Sequence, residues 1–390
     1  MLGFNIYSYL FQVFDLSVFG VSVRLYMLAS IVAIIYIFVK KISIDINNKG
    51  FFFIVLLFFI YMFSSTIWAE NEITLAFVRA VGICLLLVSF FSLYCLSLKA
   101  DSPTILKIEI FFKYYIYASL LFYLVGLYVY FSQGPSGEER GVLGLYAEGI
   151  LFRMRGFANS PNNLVLMLMP IFFFSALLGT LKSRGFYLAL LLCTILTISG
   201  AGYLILLCIS FALICTQGKV KSVLFLVSSF ISFCGGFVLY LNNEEFARIV
   251  DLRLIRFKTG SGRFDLFERS IEIANDSKYF GHGLGQARTF FHDINGEGVQ
   301  STHNSFLEVY LEGGGVGLVL FIACWALLAI TLFRSKINFK SKGMLGAYLM
   351  CLFIISNINL MVYVELMVFN FFMFLFIMTV LSRKQSHRRL

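Results

Sequence analysis

The sequence is short of charge and of proline. Charged residues make up 13% of it, where an average soluble domain carries roughly 25%. Hydrophobic residues reach 59%, with a mean hydropathy of +0.87. A soluble domain could not hide that much apolar surface, so that class is excluded. Only 4 prolines stand against 46 phenylalanines, a balance that suits long lipid-facing helices and excludes a disordered chain or a disulfide scaffold.

Metal-site patterns are missing as well. Neither D-x-D nor H-E-x-x-H occurs, and no C-x-x-C pair or histidine at ligand spacing accompanies the eight cysteines (Cys84, Cys95, Cys193, Cys208, Cys215, Cys234, Cys324, Cys351). All eight lie in apolar stretches and are expected to pack as small apolar residues. No metal or other cofactor is expected. A cleavable signal peptide is not evident, because the apolar run after Arg24 is too long for an h-region and no small-residue cleavage site follows it; that run is expected to stay as an anchor. No repeat and no low-complexity linker divides the chain, which reads as a single membrane domain, 1–390, with two external loops, 132–160 and 242–304. The formal net charge of +10 is spread through short loops between apolar runs and does not indicate nucleic acid.

What is present is a series of apolar runs. Crossing about 30 Å of hydrocarbon takes roughly 20 helical residues. Eleven candidates are 22–40, 50–68, 73–97, 106–131, 161–180, 185–199, 200–217, 221–241, 305–333, 343–361 and 363–381. Residues 3–20, diluted by Asn5 and Asp15, make a twelfth that either crosses or lies flat at the interface. The fold class is therefore all-α, a polytopic bundle of 11–12 spans. Lys40, Lys41, Lys49, Lys99, Lys107, Lys182, Arg184, Lys219, Lys221, the 334–342 loop and the 383–389 tail fall on one side of this ladder, which the positive-inside rule makes the cytoplasm. The stretches 68–72, 132–160, 199–202 and 242–304 then face outward.

The 242–304 stretch is the one long polar segment, and a loop well beyond about 15 residues is usually functional or disordered. Its pattern predicts a helix over 263–276 with Phe264, Phe267, Ile271 and Ala274 on one face, lying on the membrane surface. Ser261 is offered as its cap. Arg248, Arg253, Arg256 and Lys258 fit a solvated face or contact with anionic headgroups as well as they fit a substrate. Arg263 differs, because a guanidinium beside the free N–H groups of a helix start can hold a pyrophosphate. The run Gly281-His282-Gly283-Leu284-Gly285 resembles a phosphate loop, but no βαβ unit surrounds it and the glycines predict a tight turn beside the membrane. His282 and His292 are expected to be exposed.

Two constellations remain. In Ser301-Thr302-His303-Asn304-Ser305-Phe306-Leu307-Glu308-Val309-Tyr310-Leu311-Glu312-Gly313-Gly314-Gly315 an imidazole, an amide and two carboxylates enter an apolar span from its external end, where ionisable residues are functional candidates. Glu308 and Glu312 are four apart, share a helix face, and should point into the bundle. Helix capping by Asn304 and packing through the glycines is the alternative. In Arg153-Met154-Arg155-Gly156-Phe157-Ala158-Asn159-Ser160-Pro161-Asn162-Asn163, Pro161 fits the first turn of the next helix and leaves Arg155 and the amides near the membrane surface. Guanidinium and amide groups suit phosphates and sugar hydroxyls; each Asn taken singly fits capping equally well.

The ordered set of the 153–163 motif, Gly262-Arg263 with its helix, G-x-G-x-G at 281–285, and H-N-x-x-L-x-x-x-x-E-x-G-x-x-G-L from His303 to Leu318 resembles the bacterial O-antigen polymerase and ligase family. No single piece is specific to it. The resemblance implies a membrane-embedded glycosyltransferase in the bacterial inner membrane, with its active site facing the periplasm. The implied substrate is an oligosaccharide on undecaprenyl pyrophosphate. Further implied are membrane lipid contacts, a chain-length regulator and a flippase as neighbours, and no nucleic acid. His303 and Arg263 are implied to be essential. Arg155 joins them as the third candidate catalytic residue, and Asn304, Arg269, Asn159, Asn162 and Glu312 are the expected substrate-binding residues. Ligases of the family often carry T-x-S-R where this chain reads Thr197-Ile198-Ser199-Gly200, so Gly200 tilts the expectation toward polymerase, with Arg155 offered for the missing charge.

The chemistry that follows is a metal-free inverting transfer. An acceptor hydroxyl attacks the donor's anomeric carbon, undecaprenyl pyrophosphate leaves, and arginines neutralise the leaving charge. An imidazole, with an ordinary pKa near about 6.5, suits the acceptor proton. A lipid-linked sugar flippase is the rival from another class, kept open by Arg79, Glu109, Lys113 and Glu365 within apolar runs; the alternative for these four is intramembrane pairing that fixes helix packing.

Overall fold

The computed structural model describes residues 1–12, 15–18, 21–40, 49–69, 73–133, 141–148, 151–179, 184–217, 240–242, 244, 247–248, 251, 263–295, 302–358 and 365–386. The chain is an all-α bundle. In order come α1 (Leu2–Leu10), the strands β1 (Asp15–Val18) and β2 (Val21–Arg24), α2 (Leu25–Val39), α3 (Lys49–Ser64) with a 3-10 turn at Ser65–Trp68, α4 (Ile73–Ser97) and α5 (Ser102–Gln133). A small sheet follows, β3 (Gly141–Val142), β4 (Leu145–Glu148) and β5 (Leu151–Met154), then α6 (Pro161–Leu178), α7 (Arg184–Leu196) and α8 (Gly200–Gln217). The last elements are α9 (Arg263–Asp276), α10 (Gln286–Asn295), α11 (Ser305–Arg334), α12 (Phe339–Ile358) and α13 (Glu365–Ser386).

Among the described residues, 7 helices are long and apolar enough to cross a membrane, and Leu25–Val39 and Arg184–Leu196 are apolar but shorter. Ten of the expected spans coincide with helices. The span expected at 221–241 lies almost entirely outside the described residues. Residues 3–20 do not form a crossing helix. At 1.5 Å per residue α1 is only about 13 Å long, and the chain then turns into the β1–β2 hairpin, with Asp15 opposite Arg24. Nor does α1 lie exposed at an interface. Ile6, Tyr9 and Leu10 are buried, and the Tyr9 hydroxyl meets Ser89 of α4.

α13 is the hub of the bundle: 89% of its spanning stretch is buried, against 33% for α3, α5 and α11. Its one internal amide, Asn370, is fully buried and satisfied, donating to the Leu166 carbonyl of α6 and accepting from the Tyr348 hydroxyl of α12. Buried amides persist in apolar surroundings only when paired in this way. The outer helices turn Phe38, Phe77, Leu121, Tyr128 and Val319 outward, a surface suited to lipid rather than water.

The stretch before α6, expected to be an external loop, carries the β3–β4–β5 antiparallel meander. It sits on the outer end of α5, where the Tyr123 hydroxyl donates to the Phe152 carbonyl. Cys95, Cys193, Cys324 and Cys351 are buried thiols, as expected of packing residues, whereas Cys84 is exposed. Cys208, Cys215 and Cys234 lie outside the side chains described.

Candidate functional site

The three consecutive glycines at 313–315 break the span expected at 305–333. Gly314 has φ 60 and ψ −161, a conformation essentially reserved for glycine, and α11 folds back there. Phe306 and Phe321 would be about 22 Å apart on a continuous helix, yet their ring centroids are 5.0 Å apart. The short limb from Ser305 therefore packs against the long limb that follows Gly315, and its start is tucked among the aromatics Phe321, Trp325 and Phe353.

A broken helix in a membrane must satisfy its freed peptide groups internally. The segment 278–283 does so. His282 and Gly283 donate their N–H groups to the carbonyls of Leu311 and Glu312, while Gly315 and Val316 donate to Lys278 and Tyr279. The Tyr61 hydroxyl of α3 reaches the Gly313 carbonyl at 2.8 Å. Gly281 is positive in φ, and a Cβ there would stand 2.4 Å from the Gly314 nitrogen. The G-x-G-x-G run is thus a splice into α11, and the tight-turn reading of its glycines holds. His282 is a correction: it is half-buried, its Nε2 lies 2.8 Å from the Ile273 carbonyl, and its ring meets Phe290 edge-on. The His292 side chain lies outside those described.

His303 sits at the foot of the short limb, half-buried, with φ +51, a left-handed conformation in which non-glycine residues are uncommon. Its neighbours fix the turn. Asn304 is the N-cap of α11, its Oδ1 accepting from the Phe306 and Leu307 N–H groups. The Thr302 hydroxyl donates to the Asn304 carbonyl at 2.7 Å and accepts from the Asn304 N–H at 3.1 Å. The Thr302 N–H donates to Glu308 Oε2 at 3.1 Å.

Glu308 and Glu312 point inward, as their spacing predicts, and both are fully buried. Between them lies Arg79 of α4, with Nη1 2.8 Å from Glu312 Oε1 and 3.6 Å from Glu308 Oε1. Glu312 Oε1 also accepts the Ala287 N–H at 3.4 Å, so the start of α10 aims its positive dipole end at this carboxylate. One guanidinium thus joins α4, α10 and both ends of the short limb. Arg79, one of the four charges that kept a flippase open, is thus paired within the bundle, the alternative given for it.

Arg263 opens α9, but its side chain lies outside those described, as do Ser261, Arg253, Arg256 and Lys258. Arg269 is exposed on α9, and Arg248 is exposed as well. Of the α9 face expected to lie on the membrane surface, Ala274 is buried against protein and Phe267 is half-buried. Ser270 and Ala274 are buried, with Leu266 and Ile273 packed beside them against α10 and Leu311, whereas Phe264 and Ile271 are exposed.

The 153–163 loop forms a second polar cluster. Ser160 caps α6 by accepting the Asn163 N–H at 3.2 Å, with Pro161 in the first turn. Arg155 is drawn into the small sheet, Nε donating to the Leu143 carbonyl at 2.8 Å, and burial lowers its pKa from the ordinary arginine value, opposed by Tyr146. The guanidinium at the Thr197–Gly200 turn is that of Arg153: its Nε donates to the Thr197 carbonyl at 3.0 Å and its Nη2 lies 3.4 Å from Asn162 Oδ1, which also accepts the Ser199 hydroxyl. The expectation that Arg155 serves this turn is corrected to Arg153, which lies within β5, whereas Arg155 follows the end of that strand and donates to the Leu143 carbonyl instead. Asn159 is exposed, and its N–H and the Asn163 amide both donate to Gln12 Oε1. Gln12 in turn donates to Glu365, which Arg24 also meets.

Residues 185–322 match a family model described as O-Antigen ligase. The match supports the O-antigen polymerase and ligase family. It runs from α7 through α9, the glycine splice and the His303 turn into the long limb of α11. The 153–163 cluster and Arg79 lie outside it. No curated protein matches the chain. The matched segment, 185–322, is carried on an all-α bundle in which 7 of the described helices are long and apolar enough to cross a membrane.

Proposed function

We propose that this protein is a surface-polysaccharide polymerase that joins undecaprenyl-pyrophosphate-linked repeat units at the periplasmic side of the inner membrane. The observation that carries the reading is the turn at His303, held by Asn304, Thr302 and Glu308 within the segment that matches the family. In this reading His303 takes the proton of the acceptor hydroxyl as that oxygen bonds to the anomeric carbon. The glycosidic C–O bond to the pyrophosphate breaks, and its electron pair leaves with the lipid pyrophosphate. Arg263, at a helix start, stabilises the leaving charge. Arg155, Asn159, Asn162, Asn304 and Arg269 are the remaining candidates for contact with phosphate or sugar; Glu312, expected among them, is instead fully buried against Arg79 and the Ala287 N–H. Pairing of Arg79 with Glu308 and Glu312, and of Glu365 with Arg24, favours a packing role for these charges over a transport path.

Gly200 is the basis for preferring polymerase. A ligase acting on lipid A–core is the second reading, favoured by Arg153, which brings a guanidinium to the Thr197–Gly200 turn from another element. Gene deletion separates the two. Loss of a polymerase leaves lipopolysaccharide with core plus one repeat unit and no ladder, which is the expected phenotype. Bare core with polymer stranded on undecaprenyl pyrophosphate would identify a ligase, and repeat units accumulating on the cytoplasmic side would identify a flippase.

A further inference from the structure

The short limb of α11 has an unusual support. Its two carboxylates are fully buried where an unpaired charge is costly, and a hydrocarbon side chain at either position would pack more cheaply. What Glu308 does that a hydrocarbon cannot is accept the Thr302 N–H, one residue before His303. What Arg79 does is hold that carboxylate, and Glu312 with it, from a separate helix. The Thr302 N–H therefore has a partner fixed in space by α4, and the left-handed residue His303 follows from a pinned peptide.

We propose that Arg79 and Glu308 are positioning residues for His303: Arg79 fixes the Glu308 carboxylate, and Glu308 fixes the turn that carries the imidazole. The proposal rests on the reading of His303 as the proton acceptor, and it adds two residues to the reaction, one of them outside the family segment. Neither touches substrate. Glu312 shares the load by sitting between Arg79 and the Ala287 N–H, so removal of Glu308 leaves Arg79 with a partner, and the bundle is expected to survive the change.

The test uses the full-length protein in membrane vesicles. His303→Cys is made alone and with Glu308→Gln, Glu308→Leu, Arg79→Lys or Arg79→Gln, and the rate at which N-ethylmaleimide alkylates the new cysteine is followed by mass. Glutamine still accepts the Thr302 N–H, so H303C/E308Q should label at the rate of the parent. Loss of a hydrogen bond to a charged group should make H303C/E308L label about tenfold faster or more. Arg79→Lys should stay near the parent and Arg79→Gln should follow Glu308→Leu. If Arg79→Gln fails to reach the membrane, the uncharged combination R79Q/E308Q/E312Q with H303C replaces it and should label faster than H303C/E308Q, because the acceptor is no longer held from α4; equal labelling of the two would remove Arg79 from the proposal. Equal labelling of H303C/E308L and its parent would overturn the proposal.

The same changes made with His303 present should lower glycan extension for Glu308→Leu about tenfold or more in kcat, with the donor KM unchanged and glutamine restoring the rate. Loss confined to KM would instead assign Glu308 to substrate binding. A wild-type protein that transfers no glycan would overturn the glycosyltransferase reading, while the labelling ratios would still judge the positioning one.

Discussion

His303 combines a half-buried imidazole with a backbone conformation that only a few side chains tolerate. The two features can be tested apart. Asparagine is among the residues enriched at positive φ, so His303→Asn is expected to keep the turn and His303→Ala to loosen it, while both abolish glycan extension at normal membrane levels. A positioned acid or base contributes about a hundredfold or more. Long-chain glycan on a gel beside a membrane blot reads this directly, and wild-type chain lengths in His303→Asn would remove the imidazole from the mechanism. Arg263→Lys is expected to be nearly as damaging as Arg263→Ala, because an ammonium cannot give the bidentate contact a guanidinium makes with a pyrophosphate. Recovery of most activity with lysine would reduce that contact to charge attraction. Arg79→Ala should cost stability as well as loosen the His303 turn. Removing one partner of a buried pair typically costs about 3–5 kcal/mol, so a lower membrane level is expected, checked by quantitative blotting.

At the scale of elements the break in α11 is the decisive feature. Gly314→Ala should destabilise the protein, since a Cβ there would lie 2.4 Å from the Tyr279 carbonyl and the conformation alone costs a side chain about 1–3 kcal/mol. A lower melting temperature of the detergent-purified protein is the expected result, and an unchanged one would mean that the splice can shift to make room. The glycines at 313–315 and 281–285 were legible as breaks and turns, but that they meet was not, because their pairing joins segments some thirty residues apart. The helix at 263–276 was legible in extent, while the stripe that packs it against α10 was not. It carries two apolar stripes, one through Phe264 and Ile271 and one through Leu266, Ile273 and Ala274, and periodicity alone does not tell a face against protein from a face toward lipid. The β3–β5 meander was missed because Leu145–Glu148 and Leu151–Met154 are strands of 4 residues each, too short for an alternation to stand out. Ten of the apolar helices were readable from length and hydropathy, the property that a bilayer selects most directly, and 7 of the described helices are long and apolar enough to cross.

At the scale of the whole molecule, a bundle centred on α13 holds two groups of polar residues at helix ends, those of the 153–163 loop and those around the His303 turn. The distribution of lysine and arginine predicts that both face outward; sequence could not find Arg79 as the partner of Glu308 and Glu312, since nothing in an isolated arginine names the carboxylates it will meet. The central claim is that this chain alone transfers a glycan from a lipid pyrophosphate. Its most direct test is the purified protein in proteoliposomes with an undecaprenyl-pyrophosphate-linked oligosaccharide as sole donor and acceptor, in excess EDTA, following chain length and released undecaprenyl pyrophosphate together. The account predicts extended chains and one lipid pyrophosphate released per linkage formed, with no loss on chelation. Unextended oligosaccharide, or activity that EDTA removes and magnesium or manganese restores, would contradict it.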